Sequence, residues 1–221
     1  MTQNNNKNII MRIKTLIATA LIAAIAIISP TSTSAAAPKI SRDKISSTVS
    51  KTSYLNALKL FQAGKPLSAT DGVAVYYGSA MQPGFNSAKK YTDIEATYSS
   101  GATDKAFKMI QQALESDPTN LSLLFKAYAS AAVSKDPAIN ANAPIMKQRI
   151  LSLCDAIMDS ASGVDVSAPF VVVRPSDIEE FLYKYIQPDE VMGKATVSGM
   201  TAYKVKYADH TDPIIFYFTT F

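Results

Sequence analysis

From residue 52 onward the apolar positions of this chain return every three or four residues, and beyond residue 188 they return every second one. The first period predicts helices. Tyr54, Leu55, Leu58 and Phe61 share a face before Gly64 and Pro66 stop it, and Ser68-Ala69-Thr70-Asp71 gives a capping start to a short helix with Val73, Val75, Tyr76 and Tyr77. Gln82-Pro83-Gly84-Phe85 then reads as a type II turn, with proline second and glycine where φ must be positive. Ala106, Met109, Ile110, Ala113 and Leu114 form the next stripe. Asp117-Pro118 ends it, because the residue before proline is pushed out of the α region, and Asn120 caps a partner helix bearing Leu121, Leu124, Phe125 and Tyr128. A third strong helix runs from about Pro144 to Ser160, with Met146, Ile150, Leu153, Cys154, Ile157 and Met158 on one side. A fourth begins at a Ser176–Glu179 capping box, carries Ile178, Phe181, Leu182, Tyr185 and Ile186, and ends before Pro188.

The second period predicts strands at 191–197, 201–207 and 214–218, with Ser198-Gly199 as a tight hairpin turn and 209–213 as a longer loop. Tyr203, Val205 and Tyr207 point one way and Lys204 and Lys206 the other, which is a sheet with one buried and one wet face. Pro169–Val173 reads as a short strand or an extended entry. Helices followed by a three-stranded antiparallel sheet make the expected fold class α+β, a helical layer over a C-terminal sheet, with one domain over 51–221.

The N-terminus changes this picture of a plain globule. Arg12 and Lys14 precede the uncharged apolar run Leu16–Ile28, Ser29-Pro30 breaks it, and small residues follow to Ala37. A membrane span needs about 20 such residues, so the run predicts a signal peptide over 1–36, cleaved after Ala36, and no stable membrane insertion afterwards. Translation can start at Met1 or at Met11. Residues 37–50, rich in Ser, Thr, Lys and Ala without a period, are expected to be a flexible lead-in, and the mature protein to be periplasmic or secreted. Lys7, Arg12 and Lys14 belong to the leader, and without them the 22 basic residues nearly balance the 18 acidic ones. With no clustered basic face, nucleic acid is not an expected partner.

Candidate chemistry is sparse. Cys154, the single cysteine, lies mid-stripe and reads as a core residue, and His210, the single histidine, lies in a loop between Asp209 and Asp212. A zinc site needs three or more protein ligands, so no metal or cofactor is expected, and no catalytic residue is assigned. Glu179-Glu180 and Asp189-Glu190 are the adjacent carboxylates that a glycosidase-like hydrolase could draw on, and both read as solvated surface. The segment around the Pro-Gly turn is richer. Tyr76, Tyr77, Phe85, Tyr91 and Tyr98 gather there, and Tyr76, Tyr77, Gln82 and Phe85 are the candidate binding residues, since aromatic faces and phenol hydroxyls suit a sugar or a peptide. Packing of the helices on one another is the competing reading of the same rings.

Two resemblances add to this. Ala113–Asn120 followed by Leu121 and Leu124 resembles the junction between tetratricopeptide repeats; it occurs once, so it implies a hairpin of that style and not an array. Tyr54-Leu55, Gly64–Ser68, Val75–Gly78, Gln82–Asn86, the Asp117-Pro118-x-Asn120 helix pair and terminal Phe216-Tyr217-Phe218 together resemble the uncharacterised exported bacterial family known as domain of unknown function 4919. Around 161–165, where that family tends to a Gly-rich acidic turn, this chain has only Gly163. The resemblance implies export and brings no activity. The expected function is a non-catalytic binding or protein-interaction module for an envelope protein or a glycan; the alternative is a small periplasmic hydrolase using paired carboxylates on glycans or peptides.

Overall fold

The change of period after Pro188 marks the boundary between two layers in the computed structural model, which describes residues 40–221. The signal peptide assigned to 1–36 lies outside the described residues. The helices are α1 (Arg42–Thr48), α2 (Lys51–Gln62), α3 (Ala69–Ser79), α4 (Thr92–Ser99), α5 (Thr103–Ser116), α6 (Leu121–Val133), α7 (Pro137–Asn140), α8 (Ala143–Met158) and α9 (Pro175–Phe181), the last running on into a π-helical turn, Leu182–Ile186. The strands are β1 (Phe170–Val172), β2 (Glu190–Val197), β3 (Met200–Lys206) and β4 (Ile214–Thr220). The fold is α+β, a helical layer and a C-terminal sheet.

Local chemistry sets most of these boundaries. The Ser68 hydroxyl accepts from the Asp71 amide at 3.1 Å and Asn120 Oδ1 from the Leu123 amide at 3.1 Å, so both expected caps form. The Pro83-Gly84 turn closes with Phe85 N–H on the Gln82 carbonyl, Gly84 taking a φ of 82°. Ser198 and Gly199 both have positive φ and turn β2 into β3, with Val197 paired to Met200. The capping box expected at Ser176 does not form: α9 starts two residues earlier, at Arg174 and Pro175, and no side chain caps it. Proline supplies the start there, since its fixed φ suits the first helical position.

Two further differences come from tertiary packing. The sheet has four strands in the order β1-β4-β3-β2, with β1 parallel to β4 and the other pairs antiparallel. Within Pro169–Val173 the three residues Phe170–Val172 are thus a strand, because β4 gives their backbone a partner that no local pattern announces. Within the segment expected to be a flexible lead-in, α1 forms with Ser41 as its cap and Ile45 buried in the core. Tertiary contacts dock so short a helix: besides Ile45, Val49 packs on the core and the Arg42 guanidinium donates to the Phe221 carbonyl at 3.3 Å.

The core lies between the layers. Phe170, Phe181, Phe216, Phe218 and Tyr203 fill the covered face of the sheet, while Lys204 and Lys206 face water. Gly163 carries a φ of 74° and lies so close to the Phe170 ring that a Cβ there would meet it at 2.0 Å. At the centre of the helical layer is α3, packed on by α1, α2 and α8. Val75, Tyr76 and Tyr77 retain no exposed surface. A helix apolar on all sides is a buried helix, and this one carries two of the candidate binding residues.

Candidate functional site

Burial decides what the aromatic segment can do. The Tyr76 and Tyr77 rings meet edge to face with centroids 4.9 Å apart, and both hydroxyls are spent inside the protein. Tyr77 donates to the Val171 carbonyl at 2.9 Å. Tyr76 donates to Asp177 Oδ2 at 2.7 Å and accepts from the Val173 amide at 3.2 Å. Burial pushes both phenols above their usual range, the Asp177 charge adding to it for Tyr76. Neither ring faces solvent, so of the two weighed roles packing is the one their positions fit. Gln82 donates to the Gly78 carbonyl at 2.9 Å and lies apart from them, on a shallow apolar groove of about 370 Å³ with Ile45, Val49, Tyr54, Met81 and Pro83. Phe85 is half-buried beneath the Arg174 guanidinium, 4.6 Å from its ring centroid. The four candidates therefore do not build one surface.

What the structure gathers instead is a buried polar cluster on Asp117, the C-terminal cap of α5. Asp117 Oδ1 is ion-paired with Arg174, and Oδ2 accepts from the Tyr91 hydroxyl at 3.1 Å and from Asn120 Nδ2 at 3.0 Å. Arg174 also donates to the Thr119 carbonyl at 3.2 Å. The Thr119 hydroxyl donates to Ser79 at 2.8 Å, and Ser79 to the Tyr76 carbonyl at 2.7 Å. Arg149 donates to the Pro118 carbonyl at 3.0 Å and lies over the Phe61 ring; its burial pulls its pKa down to about 10. The Asp117–Asn120 junction between α5 and α6 is thus held by arginines from two other elements. A buried ion pair is tolerated only where its remaining donors and acceptors are also engaged; Asp117 meets that condition on both oxygens, while Arg174 Nε has no partner among the described residues.

The cluster reaches the surface at one place. Tyr91 and Asn120, both held by Asp117, line a groove of about 230 Å³ together with Lys89, Lys90, Ser122, Leu123 and Ser176. Glu95 also lines it, but is paired with Lys126 at 2.9 Å. Lys89 sits over the Tyr91 ring, 4.9 Å from its centroid. The Tyr91 phenol is raised above its ordinary value, by desolvation first and the Asp117 charge second, so it stays a hydrogen-bond donor. The groove presents ammonium, hydroxyl and aromatic groups on a wall of which Tyr91 and Asn120 are fixed from behind.

The adjacent carboxylates noted in the sequence have other partners. Glu179 Oε1 accepts from Lys194 at 3.1 Å and from the Tyr203 hydroxyl at 3.0 Å, Glu180 pairs with Lys184, and Asp189 Oδ2 accepts from the Ala208 amide at 2.6 Å. The acids that do converge are Asp117 and Asp177, both within electrostatic reach of Arg174, and Asp177 has no exposed surface. Cys154 is fully buried, as its place in the stripe predicts, and His210 bonds Asp209 at 2.9 Å in the loop before β4. Among the described residues no helix is long and apolar enough to cross a membrane. Sequence reasoning missed Arg149, Arg174 and Asp177. The two arginines carry one signal, a charge set beside apolar positions, Arg149 inside a helix stripe and Arg174 after three valines, whereas Asp177, next to Ser176 and two residues before Glu179-Glu180, carries none. Comparison with family models, with curated proteins and with solved structures gives no match.

Proposed function

We propose that the protein is an exported, non-catalytic binding module whose ligand lies in the groove at Tyr91, Asn120 and Ser176. The observation that carries this is the clamp: one buried carboxylate, Asp117, holds both Tyr91 and Asn120 in the groove wall. Groups fixed before the ligand arrives lose little entropy on binding. A solvated loop tyrosine needs no such support. Lysines, hydroxyls and a tyrosine suit a glycan or a polar peptide of an envelope component, and the leader-like N-terminus and the resemblance to domain of unknown function 4919 support export.

A glycan and peptide array probed with the mature chain tests this. The wild type is expected to retain a set of polar ligands that Tyr91→Ala loses by tenfold or more in affinity, as befits removal of an anchoring aromatic of about 1.4 kcal/mol or greater. Met81→Ala, in the apolar groove, is expected to bind as the wild type does. If the two variants bind alike, the groove assignment fails; if the wild type cleaves what it binds, the hydrolase reading replaces this one.

A further inference from the structure

One cation in the buried cluster faces two acids. Arg174 is paired with Asp117 and also lies within electrostatic reach of Asp177, on the first turn of α9. Asp177 is completely buried, and its hydrogen bonding is half complete: Oδ2 has the Tyr76 hydroxyl, while Oδ1 has no partner among the described residues. The titratable and charged groups around it come from several elements. Tyr76 and Tyr77 face it from α3, Asp117 from the α5–α6 junction, Cys154 from α8, and Arg174 and Glu180 from its own segment. Of these only Arg174 is positive, and Glu180 is taken by Lys184.

A carboxylate in that setting is poorly solvated as an anion. Its neutral form fits better. With the proton on, Asp177 makes no demand on Arg174, and Asp117 keeps the guanidinium that lets it hold Tyr91 and Asn120. With the proton released to solvent, two anions share one cation in a region closed to water.

We propose that Asp177 is a proton-operated switch behind the groove: protonated, it leaves Arg174 to Asp117; ionised, it draws on the same guanidinium and slackens the hold on Tyr91 and Asn120. The consequence for ligand binding rests on the groove reading; the switch itself does not. Desolvation, opposed by Arg174 and by the Tyr76 hydrogen bond, pushes the Asp177 carboxyl up to about 7. A folded-state pKa above the unfolded one means stability that is full below the unfolded value and is lost as pH rises through the folded value. The chain should therefore weaken from about pH 4 to about pH 7 and change little above that.

Thermal melting and amide hydrogen exchange of the ligand-free mature chain, from about pH 4 to about pH 8.5, test the switch. The wild type is expected to lose several degrees of Tm across this range, and its amides at 91–95 and 120–124 to lose protection severalfold after correction for the intrinsic exchange rate. Asp177→Asn, neutral at every pH, is expected to keep a flat profile and to exceed the wild type on the alkaline side. His210 is unchanged in both chains and cancels from the comparison. Tyr76→Phe removes a hydrogen bond that favours the ionised form, so its midpoint should move to higher pH, a shift that a purely structural role for Tyr76 does not produce. Parallel profiles for wild type and Asp177→Asn overturn the proposal. Should Asp177→Asn fail to fold, an unmoved midpoint in Tyr76→Phe overturns it equally. These measurements involve no ligand, so a failed array and a failed switch remain distinct results.

Discussion

Beneath the sheet, Phe170, Phe181, Phe216 and Phe218 meet ring against ring with centroids 5.5 to 6.3 Å apart, whereas at the α5–α6 junction the buried side chains are Asp117, Thr119, Asn120 and Arg174, with Asp177 alongside. Both regions are closed to water, and they hold for different reasons. The aromatic cluster gains from area removed from water and from edge-to-face geometry, neither of which depends on any single contact. The polar cluster gains only if nearly every group is satisfied, since a buried charge stripped of its partner keeps its desolvation cost. Loss of a part therefore reads out differently in the two places. The groove lies over the second kind of region, where one broken bond moves several residues.

The largest effect is expected from the aromatic side. Phe218→Ala removes a ring that is 1 % exposed and touches Phe170, Phe181 and Tyr203. A loss of about 3–5 kcal/mol in urea unfolding is expected. Less than about 1 kcal/mol would mean that the cluster collapses readily around the gap, and the contrast would lose one of its sides. Arg174→Met comes next, at about 3 kcal/mol, because it strands the Asp117 carboxylate. Its character is more telling than its size. Adding Asp117→Asn to Arg174→Met should restore part of the loss, a strongly non-additive cycle, while Phe218→Ala combined with either should add simply. Additivity within the Asp117–Arg174 pair would place the polar cluster with the aromatic one.

The same division governs what the chain discloses before it is folded. Stripes at 3.6 and 2.0 residues report burial of apolar faces, so the helices α2, α3, α5, α6, α8 and α9, the β2–β3 hairpin and Cys154 in the core were all legible, whereas the short α4 and α7, each with a single buried apolar residue, were not. Caps at Ser68 and Asn120 were legible too, being written within three residues of the bond they make. The strand β1 was ambiguous, since its pairing partner β4 lies some fifty residues on, and α1 was hidden by a segment with a single buried apolar residue. Tyr76 and Tyr77 illustrate a different limit: pattern places aromatics in the right helix, but not whether that helix lies at the surface or at the centre of three others. The polar cluster was the least legible. Asp117, Arg174 and Asp177 come from segments with no periodic relation, and a lone charge in an apolar run looks the same whether it snorkels to water or meets a counter-charge.

The smallest expected effect isolates burial from bond geometry. Glu179 accepts from Lys194 at 3.1 Å and from Tyr203 at 3.0 Å, nearly the distances at which Asp117 accepts from Tyr91 and Asn120, but the Glu179 and Lys194 side chains are 58 % and 56 % exposed. Lys194→Ala is therefore expected to cost only about 0.2–1 kcal/mol, and the difference from wild type should shrink further in high salt. Its pH dependence has the opposite sense to that of Asp177, two residues away on the same helix. Hydrogen bonds from Lys194 and Tyr203 hold Glu179 below the usual carboxylate range, so its contribution is present above the unfolded value and fades as pH falls through the folded one. Melting curves of wild type and Lys194→Ala should converge in acid, where the Asp177 region is at its firmest. A Lys194→Ala loss that matched Arg174→Met, or that persisted in acid and salt, would show that donor–acceptor distance and not burial sets the difference between the two carboxylates.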